Sequence, residues 1–362
     1  MNDITEALTQ AVTDACGRHP SSADPAEAAE WNAPLWSALD QIGIALLTVP
    51  EERGGPGGDL LTAAAVLEVL GEHSATVPLA ETALQAAWLL AECDAPIPAG
   101  PMAAAVGGPR LSLIEESGAW VLDGELARVP WARHADHLVL LVGRHVVTTR
   151  RDTLDLRPGT NLAGEPRDDV VFHRLVIPAD QVHTLPEESA VGVRLFTARG
   201  AVSRLALMAG AARRALEMSL AYASERHQFG RPLDKFQAVQ QQIAAMAGEV
   251  LLCKVAAESA ARALDEGTSW ELAVAAAKVS AGNAAGTVAR IAHQIHGAIG
   301  FTEEHDLRRC TTRIWSWRDE CGSVGEWAVE LGALAAAASP DGLWPLLSDG
   351  GAAEKICGSA SK

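Results

Sequence analysis

Three short segments contain the residue types that could do chemistry in this chain. They read ERHQFGRPL at residues 225–233, QIHGAIGFT at residues 294–302 and WSWRDECGS at residues 315–323. An arginine guanidinium can form charge-assisted hydrogen bonds with phosphate oxygens, and glycine lets backbone N–H groups approach them closely. A carboxylate such as that of Glu320 can act as a general base. Residue types therefore indicate anion binding and proton transfer as candidate chemistries.

Each of these residues also has a simpler interpretation. An arginine that follows a helix, as Arg226 does, is usually a solvated surface charge. Gly297 could do no more than end a helix. Glu320 could belong to an ordinary charged helix surface, paired with Arg318 or Arg313. The choice between these interpretations depends on the neighbouring residues and on the elements that position the segments.

The composition argues against one class of partner. Asp and Glu number 46 and Lys and Arg number 29, so the formal net charge is −17. A surface of that charge repels nucleic-acid phosphates, and no basic stripe with interleaved aromatic residues is present. No apolar run reaches the ~18 residues that a membrane span needs. We therefore expect no nucleic acid as a partner and no membrane span.

The cysteines and the first residues bear on the compartment. The six cysteines are scattered, without a C-x-x-C pair or paired histidine spacing. This pattern is typical of reduced thiols in a cytosol and of neither a disulfide framework nor a zinc site. The first residues, MNDITEALTQ, are acidic and amphipathic, unlike a signal peptide. The expectation is a cytoplasmic protein without a bound metal.

The pattern of apolar residues changes twice along the chain. Helical periodicity predicts an N-terminal helical domain over residues 1–96. Short apolar runs separated by Gly and Pro predict a middle β domain over 97–188, with a hairpin turn at Asp123-Gly124. Asp59 is a candidate N-cap for the helix that follows it. The fold class predicted is therefore mainly α with a central β domain.

The last third of the chain predicts a helical bundle over residues 189–340. From residue 236 to 264, apolar residues step alternately by three and four, which predicts a long packed helix ended by Gly267. Further helices are predicted over 270–296 and from about residue 303. Four long antiparallel helices make a bundle. The Gly-, Ala- and Ser-rich residues 341–362 predict a flexible tail.

From residue 44 to 331, the chain resembles the acyl-CoA dehydrogenase family. Three stretches carry the resemblance: VPEERGGPGGD at residues 49–59, ERHQFGRPL with the following FQAVQ, and QIHGAIGFT. The second of them is the most specific. The fold that the resemblance implies has an N-terminal helical domain, a β-barrel-like middle domain and a C-terminal four-helix bundle, which matches the order derived from the periodicity.

The resemblance implies a flavoprotein oxidoreductase of lipid metabolism that uses FAD. Such an enzyme introduces an α,β double bond into an acyl-CoA thioester: a carboxylate removes the α-proton and the flavin accepts the β-hydrogen as hydride. By position, the residues that would reach the FAD of a neighbouring subunit are Arg226, Gln228 and Phe229, with Gln294 and Gly297 at the pyrophosphate. The site then requires a homo- or hetero-oligomer, such as a dimer of dimers, and the resemblance allows an electron-transfer flavoprotein as partner.

The chain departs from the family pattern at three places. The family's base usually stands directly before a Gly-Thr/Ser pair, where this chain has Cys321, and Glu320 lies one position earlier. The family's second location for the base falls near Gly200, where there is no carboxylate. In the β domain, Pro130 stands where a hydroxyl residue would contact the flavin ring, and proline has no N–H to offer.

These departures leave several hypotheses open. In the first, Glu320 or, alternatively, Asp319 is the base and the chain is a complete enzyme. In the second, the chain is one subunit of a heteromeric dehydrogenase, and a homologous partner subunit holds most of the FAD and supplies the base. The alternatives are a non-catalytic, flavin-poor assembly subunit and a dehydrogenase-like monooxygenase of secondary metabolism. The acyl group is not readable from the sequence.

Overall fold

The computed structural model describes residues 3–22, 30–267, 269–302, 305–338 and 344. The chain forms two compact units, residues 1–200 and 201–362. Along the chain, helices come first, then strands, then long helices, so the predicted fold class, mainly α with a central β domain, is confirmed. The domain boundaries at 96/97 and 188/189 stay predictions. The predicted tail over 341–362 lies outside the described residues, apart from residue 344.

The first unit begins with helices. Their bounds are α1 (Asp3–Arg18), α2 (Ala33–Ile42), α3 (Leu60–Glu72), a π-helical stretch (Ala80–Ala86) and α4 (Ala87–Glu92) that continues it. The predicted cap of α3 is confirmed, because the Asp59 carboxylate accepts a hydrogen bond from the Thr62 N–H at 2.7 Å.

Two four-stranded sheets follow in the same unit. The first has the order β1 (Met102–Val106), β4 (His137–Val142), β5 (His145–Arg150), β8 (Val182–Thr184), and the second has the order β2 (Leu111–Glu116), β3 (Ala119–Pro130), β7 (Arg167–Ile177), β6 (Asp155–Arg157). Only the β1–β4 pair is parallel among the pairs within these two sheets; the remaining pairs are antiparallel.

The first sheet is buried on both faces, which explains the unbroken apolar run of β4. Successive strand residues point to opposite faces. Val139 and Leu141 pack in one cluster with Trp88 of α4, whereas Leu138 and Leu140 pack in another with side chains of the second sheet. A strand covered on both sides needs apolar residues at every position.

The predicted hairpin turn at Asp123-Gly124 is wrong. β3 continues through this point to Pro130, and its pairing with β7 shifts register between Leu122 and Gly124. Gly124 has φ of +122°, and a Cβ there would lie 1.9 Å from the Arg110 carbonyl oxygen. Gly124 therefore lies at an irregularity within the strand, where two backbones approach closely. It does not form a turn.

The second unit contains the long helices. α5 (Val193–Glu225) enters it from the first unit and is followed by the small strands β9 (His227–Gln228) and β10 (Arg231–Pro232), then α6 (Gln237–Glu266), α7 (Trp270–His296), α8 (Leu307–Arg318) and α9 (Val324–Ala337). Gly267, with φ of +68°, ends α6 as predicted. α7 is largely buried and packs against α6, α8 and α9.

The predicted fourth long helix is two helices. α8 ends at Arg318, and the chain reverses through Cys321 and Gly322, with φ of +53° and +92°. α9 then starts from a capping box in which Ser323 and Glu326 bond each other's backbone N–H groups. Positive φ at two consecutive residues interrupts the helical path, a local feature that apolar periodicity does not report.

Candidate functional site

The segment after α5 folds as a tight hairpin, here called the Arg226 hairpin (residues 226–232). Its strands pair antiparallel, with Arg231 opposite Gln228. The turn residues Phe229 and Gly230 have φ of +52° and +81°. Two positive φ values in succession are typical of a type I′ turn, which suits the twist of a two-residue hairpin.

Phe229 is both strained and exposed. Its side chain is 92% exposed, and a bulky residue at positive φ costs on the order of 1–3 kcal/mol. Its ring makes an edge contact with Phe236, with centroids 6.3 Å apart. Packing on the described chain does not compensate for this cost, so the position of Phe229 is typical of a residue that contacts another molecule.

The same hairpin presents two guanidinium groups. Arg226 and Arg231 are exposed, and neither forms an ion pair with a residue that the structure describes. The Arg231 guanidinium lies 4.1 Å from the centroid of the Phe236 ring, which holds it without a carboxylate. Because the chain as a whole is acidic, two uncompensated cations on one hairpin form a local site of attraction for an anion.

The second predicted segment forms the end of α7. Gln294 is exposed between two buried residues, and α7 ends at Gly297, which is also exposed. Gly297 has φ of +63° and ψ of −141°, a backbone conformation that residues with a Cβ rarely adopt. The glycine is therefore required by the turn itself, and its backbone is open to a ligand.

Tyr222 and His296 bring the two segments together. Tyr222 lies one turn before Arg226, whose N–H donates to the Tyr222 carbonyl at 2.9 Å. The Tyr222 ring stacks on the ring of His296, with centroids 4.7 Å apart. His296 directly precedes Gly297, so the Arg226 hairpin and the Gly297 turn begin from helices in direct contact.

The residues present fit the diphosphate of a dinucleotide. Arg226 supplies an exposed guanidinium that forms no ion pair with a described residue, Gln228 and Gln294 supply exposed amides, and Gly297 supplies an open backbone. Arginine forks and backbone N–H groups are the usual ligands of phosphate oxygens. These side chains and that of Phe229 lie at the surface, as residues that reach a neighbouring subunit's cofactor must. Their cofactor role stays a prediction.

Glu320 is held by an ion pair. The Arg204 Nε of α5 donates to Glu320 Oε2 at 2.7 Å, and the two side chains are 3% and 14% exposed. One of the expected alternative partners, Arg318, pairs with Asp319 instead, with Nη2 and Oδ2 3.0 Å apart. The structure therefore places Glu320 at the end of α8 as the anion of a largely buried pair.

Lys278 of α7 fixes the same end of α8. Its Nζ donates to the carbonyls of Arg318 at 2.9 Å and Glu320 at 2.8 Å. Burial lowers the pKa of Lys278 to about 8, although the charges of Cys321 and Glu320 oppose this shift. A cation that binds the last carbonyls of a helix satisfies acceptors that have no partner within the helix.

The residue at the family's base position is Cys321. Its carbonyl accepts a hydrogen bond from Trp327 Nε1 at 3.0 Å, and the next residue, Gly322, lies against the same indole. A Cβ on Gly322 would come within 2.4 Å of that nitrogen. The reversal between α8 and α9 is thus fixed by its backbone, and no carboxylate occupies the predicted position.

The other two departures from the family pattern, near Gly200 and at Pro130, can also be located in the structure. Around Gly200, α5 has no carboxylate, since its acidic residues are Glu217 and Glu225. Pro130 ends β3, directly before Trp131, a non-glycine residue with positive φ. The flavin-ring contact expected at this place in the family therefore has no hydroxyl to provide it.

Sequence reasoning missed Arg204 and Lys278, although both left a signal. Each is a lone charged residue within an apolar or alanine-rich helical stretch, and each is almost fully buried, at 2% and 1% exposure. Buried charges require a partner. A search for such residues would have selected both, but it could not have identified Glu320 and the end of α8 as their partners.

Three further expectations concern metal binding, the cysteines and membrane spans. The described residues contain no group of three or more His, Cys, Asp or Glu side chains that could hold a metal ion. Cys16, Cys93, Cys253, Cys310 and Cys321 form no disulfide with one another, and Cys357 lies outside the described residues. Within residues 3–22, 30–267, 269–302 and 305–338, no helix combines the length and apolarity needed to cross a bilayer.

Comparison with known proteins gives consistent matches. Residues 2–93 match the family model "Acyl-CoA dehydrogenase, N-terminal domain" and residues 191–318 match "Acyl-CoA dehydrogenase, C-terminal domain". The chain is 29% identical over 313 residues to acyl-CoA dehydrogenase IpdE2 of Mycolicibacterium smegmatis, covering 85% of this chain and 91% of that protein.

Solved structures that share the fold include the following two. A chain of the ChsE4-ChsE5 complex from Mycobacterium tuberculosis superposes with a TM-score of 0.81 at 21% identity, covering 93% of this chain and 98% of that one. Butyryl-CoA dehydrogenase from Megasphaera elsdenii gives a TM-score of 0.83 at 19% identity, covering 92% and 98%.

Proposed function

The chain belongs to the acyl-CoA dehydrogenase family of oxidoreductases, which act on the CH–CH bond of acyl-CoA thioesters, and we propose that it works as one subunit of a heteromeric, FAD-dependent dehydrogenase. In this proposal, the chain contributes the Arg226 hairpin and the Gly297 turn to FAD held mainly by a homologous partner subunit. The partner supplies the base for removal of the α-proton.

The observation that carries this proposal is the state of Glu320. It is the carboxylate nearest the family's usual base position, and Arg204 engages it in a largely buried pair. A general base must offer an oxygen to the substrate proton. A carboxylate that takes up a proton becomes neutral, so Glu320 acting as base would remove its charge from a largely buried ion pair, at considerable cost.

The residues of this chain then bind and orient. Arg226 would pair with phosphate oxygens, and Gln228 and Gln294 would donate amide hydrogens beside it. Phe229 would cover the cofactor or the partner surface with its exposed ring. FAD, when bound, supplies the hydride-accepting chemistry. The shared fold of a chain from a mycobacterial two-protein complex supports a heteromeric assembly.

Flavin counting by native mass spectrometry tests the assembly. We expect little FAD on this chain alone and FAD on a hetero-oligomer formed by co-expression with a homologous subunit. In that complex, Arg226→Ala should lower FAD retention, whereas Arg262→Ala, which removes an exposed arginine without an ion pair to described residues, should not. Full FAD occupancy of the chain alone, with turnover, would contradict the proposal.

The second candidate is the complete enzyme with Glu320 as base, and one variant separates the two. If Glu320 is the base, Glu320→Gln should slow turnover about 10²–10⁴-fold. If the partner supplies the base, the rate of the folded complex should change far less. Turnover is measured at saturating acyl-CoA with an artificial electron acceptor, so that an electron-transfer flavoprotein is not required.

The remaining alternatives have their own readouts. A flavin-poor assembly subunit would stay colourless near 450 nm with every homologous partner. A monooxygenase of secondary metabolism would consume oxygen with reduced flavin, which an oxygen electrode detects. The cytoplasmic location stays a prediction.

A further inference from the structure

A stack of three aromatic rings lies beneath both proposed cofactor segments. The Tyr222 ring of α5 packs on His296 of α7 at 4.7 Å between centroids, with 26° between the planes. His296 also meets His305 edge-on, with ring centroids 4.7 Å apart. His296 is only 3% exposed, so it is the buried centre of the stack.

His296 is fixed by its backbone contacts as well as by the rings. Its Nδ1 lies 2.8 Å from the Ala292 carbonyl oxygen, one turn earlier in α7. Its Nε2 is buried and faces the Met218 backbone of α5 without a regular hydrogen bond among the described residues. The ring therefore touches α7, α5 and the segment before α8 at once, so a rotation of it would disturb all three.

A second histidine, His293, directly precedes Gln294 and is also held by side-chain contacts. The His293 ring stacks on Phe301 at 4.2 Å, and its Nε2 lies 3.0 Å from Thr311 Oγ1. Gly300 packs against both histidines, since a Cβ there would lie 3.0 Å from His296 Cβ and 3.3 Å from His293 Nδ1. The turn after α7 is thus packed directly on the buried pair of histidines.

We propose that Tyr222 and His296 are positioning residues that fix the Arg226 hairpin relative to the Gly297 turn. The Tyr222 carbonyl accepts a hydrogen bond from the Arg226 N–H, and His296 directly precedes Gly297, so the ring contact links the two segments directly. The value of that link for FAD rests on the proposed function. Neither ring is expected to touch the cofactor.

The titratable groups that face His296 are few among the described residues. They are Tyr222 from α5, His305 from the segment before α8, and His293 from α7 itself. Burial lowers the pKa of His296, and the neighbouring histidines add to this effect. Burial therefore favours the neutral form of His296 in the fold.

The test uses the full chain and needs no flavin in its first arm. Tyr222→Leu removes the ring, Tyr222→Phe keeps it, and Leu220→Ala is a control that removes exposed apolar surface from the same end of α5. Amide hydrogen exchange should become faster in Tyr222→Leu both at residues 226–232 and at 297–301, and stay unchanged in the other two variants. Faster exchange at the hairpin alone would overturn the proposal, since the Gly297 turn would then be independent.

The second arm measures FAD dissociation from the assembled complex. An aromatic pair is worth about 0.5–1.5 kcal/mol, so Tyr222→Leu should weaken FAD binding about two- to tenfold, with rescue by Tyr222→Phe. His296→Phe, which keeps a ring that cannot titrate, should bind FAD better than His296→Leu. Equal FAD affinity of Tyr222→Leu and wild type would overturn the proposal. A wild-type complex that binds no FAD would instead refute the proposed function, while the exchange arm still decides whether the segments are coupled.

Discussion

Arg204 and Glu320 lie 116 residues apart in the sequence and form an ion pair with 2.7 Å between Nε and Oε2. The pair joins α5 to the end of α8, and the Lys278 Nζ binds the Glu320 carbonyl beside it. The sequence makes the Glu320 carboxylate the candidate base. In the structure, the same carboxylate joins two helices through its ion pair.

Glu320→Gln should lower the free energy of unfolding. The amide can still accept a hydrogen bond from Arg204, but the charge that compensates the buried guanidinium is lost, at a cost of about 2 kcal/mol. Urea denaturation measures this loss. Asp319→Asn is the matched control, because its pair with Arg318 is exposed and should change stability by less than about 0.5 kcal/mol. If both variants unfold like the wild type, the buried pair contributes nothing to the bundle.

Lys278 should make stability depend on pH in the alkaline range. Its pKa is lowered by burial from 10.5 to about 8, so between these values the unfolded chain holds a proton that the folded chain has released. Unfolding then takes up a proton and becomes less favourable as pH rises, by up to about 1.4 kcal/mol per pH unit.

Chemical denaturation of wild type and Lys278→Met at a series of pH values from 7.5 to 10 measures this effect. The other titrating groups are common to both proteins and cancel in the difference. Wild type should gain stability relative to the variant as pH rises above about 8. A difference that stays flat across this range would show that Lys278 keeps its proton in the fold.

Phe229→Asn should separate stability from binding. Asparagine tolerates positive φ, and Asn-Gly is the preferred type I′ turn, so the hairpin itself should become more stable by about 1 kcal/mol. If Phe229 contacts the cofactor or a partner, FAD retention by the complex should fall at the same time. Amide exchange in the hairpin and flavin absorbance measure the two effects. Unchanged retention with a firmer hairpin would remove Phe229 from the proposed site.

Gly322→Ala should destabilise the reversal between α8 and α9. Its φ of +92° disfavours alanine, and the new Cβ would displace the Trp327 indole that bonds the Cys321 carbonyl. We expect a loss of about 2 kcal/mol or more in thermal or urea unfolding. Gly248→Ala is the control, since this glycine lies inside α6 with open space around it and should gain about 0.5–1 kcal/mol.

Several elements could be predicted because their signals are local. The α6 stripe, the Gly267 stop and the Asp59 cap depend on residues within one or two turns, and each agrees with the structure. The prediction of a turn at Asp123-Gly124 was wrong because the same dipeptide also occurs at irregularities within strands. What distinguishes the two is the Arg110 carbonyl beside Gly124, which belongs to another part of the chain.

For the candidate site, the sequence by itself determined which residues could bind a dinucleotide. The candidate residues lie in two short contiguous segments: Arg226, Gln228 and Phe229 in the first, Gln294 and Gly297 in the second. Their types and their order along the chain can be read without knowing how the helices pack. The tertiary structure alone decided the rest. It put Tyr222 against His296 and Arg204 against Glu320, because burial brings together side chains whose separation along the chain carries no information about their contact.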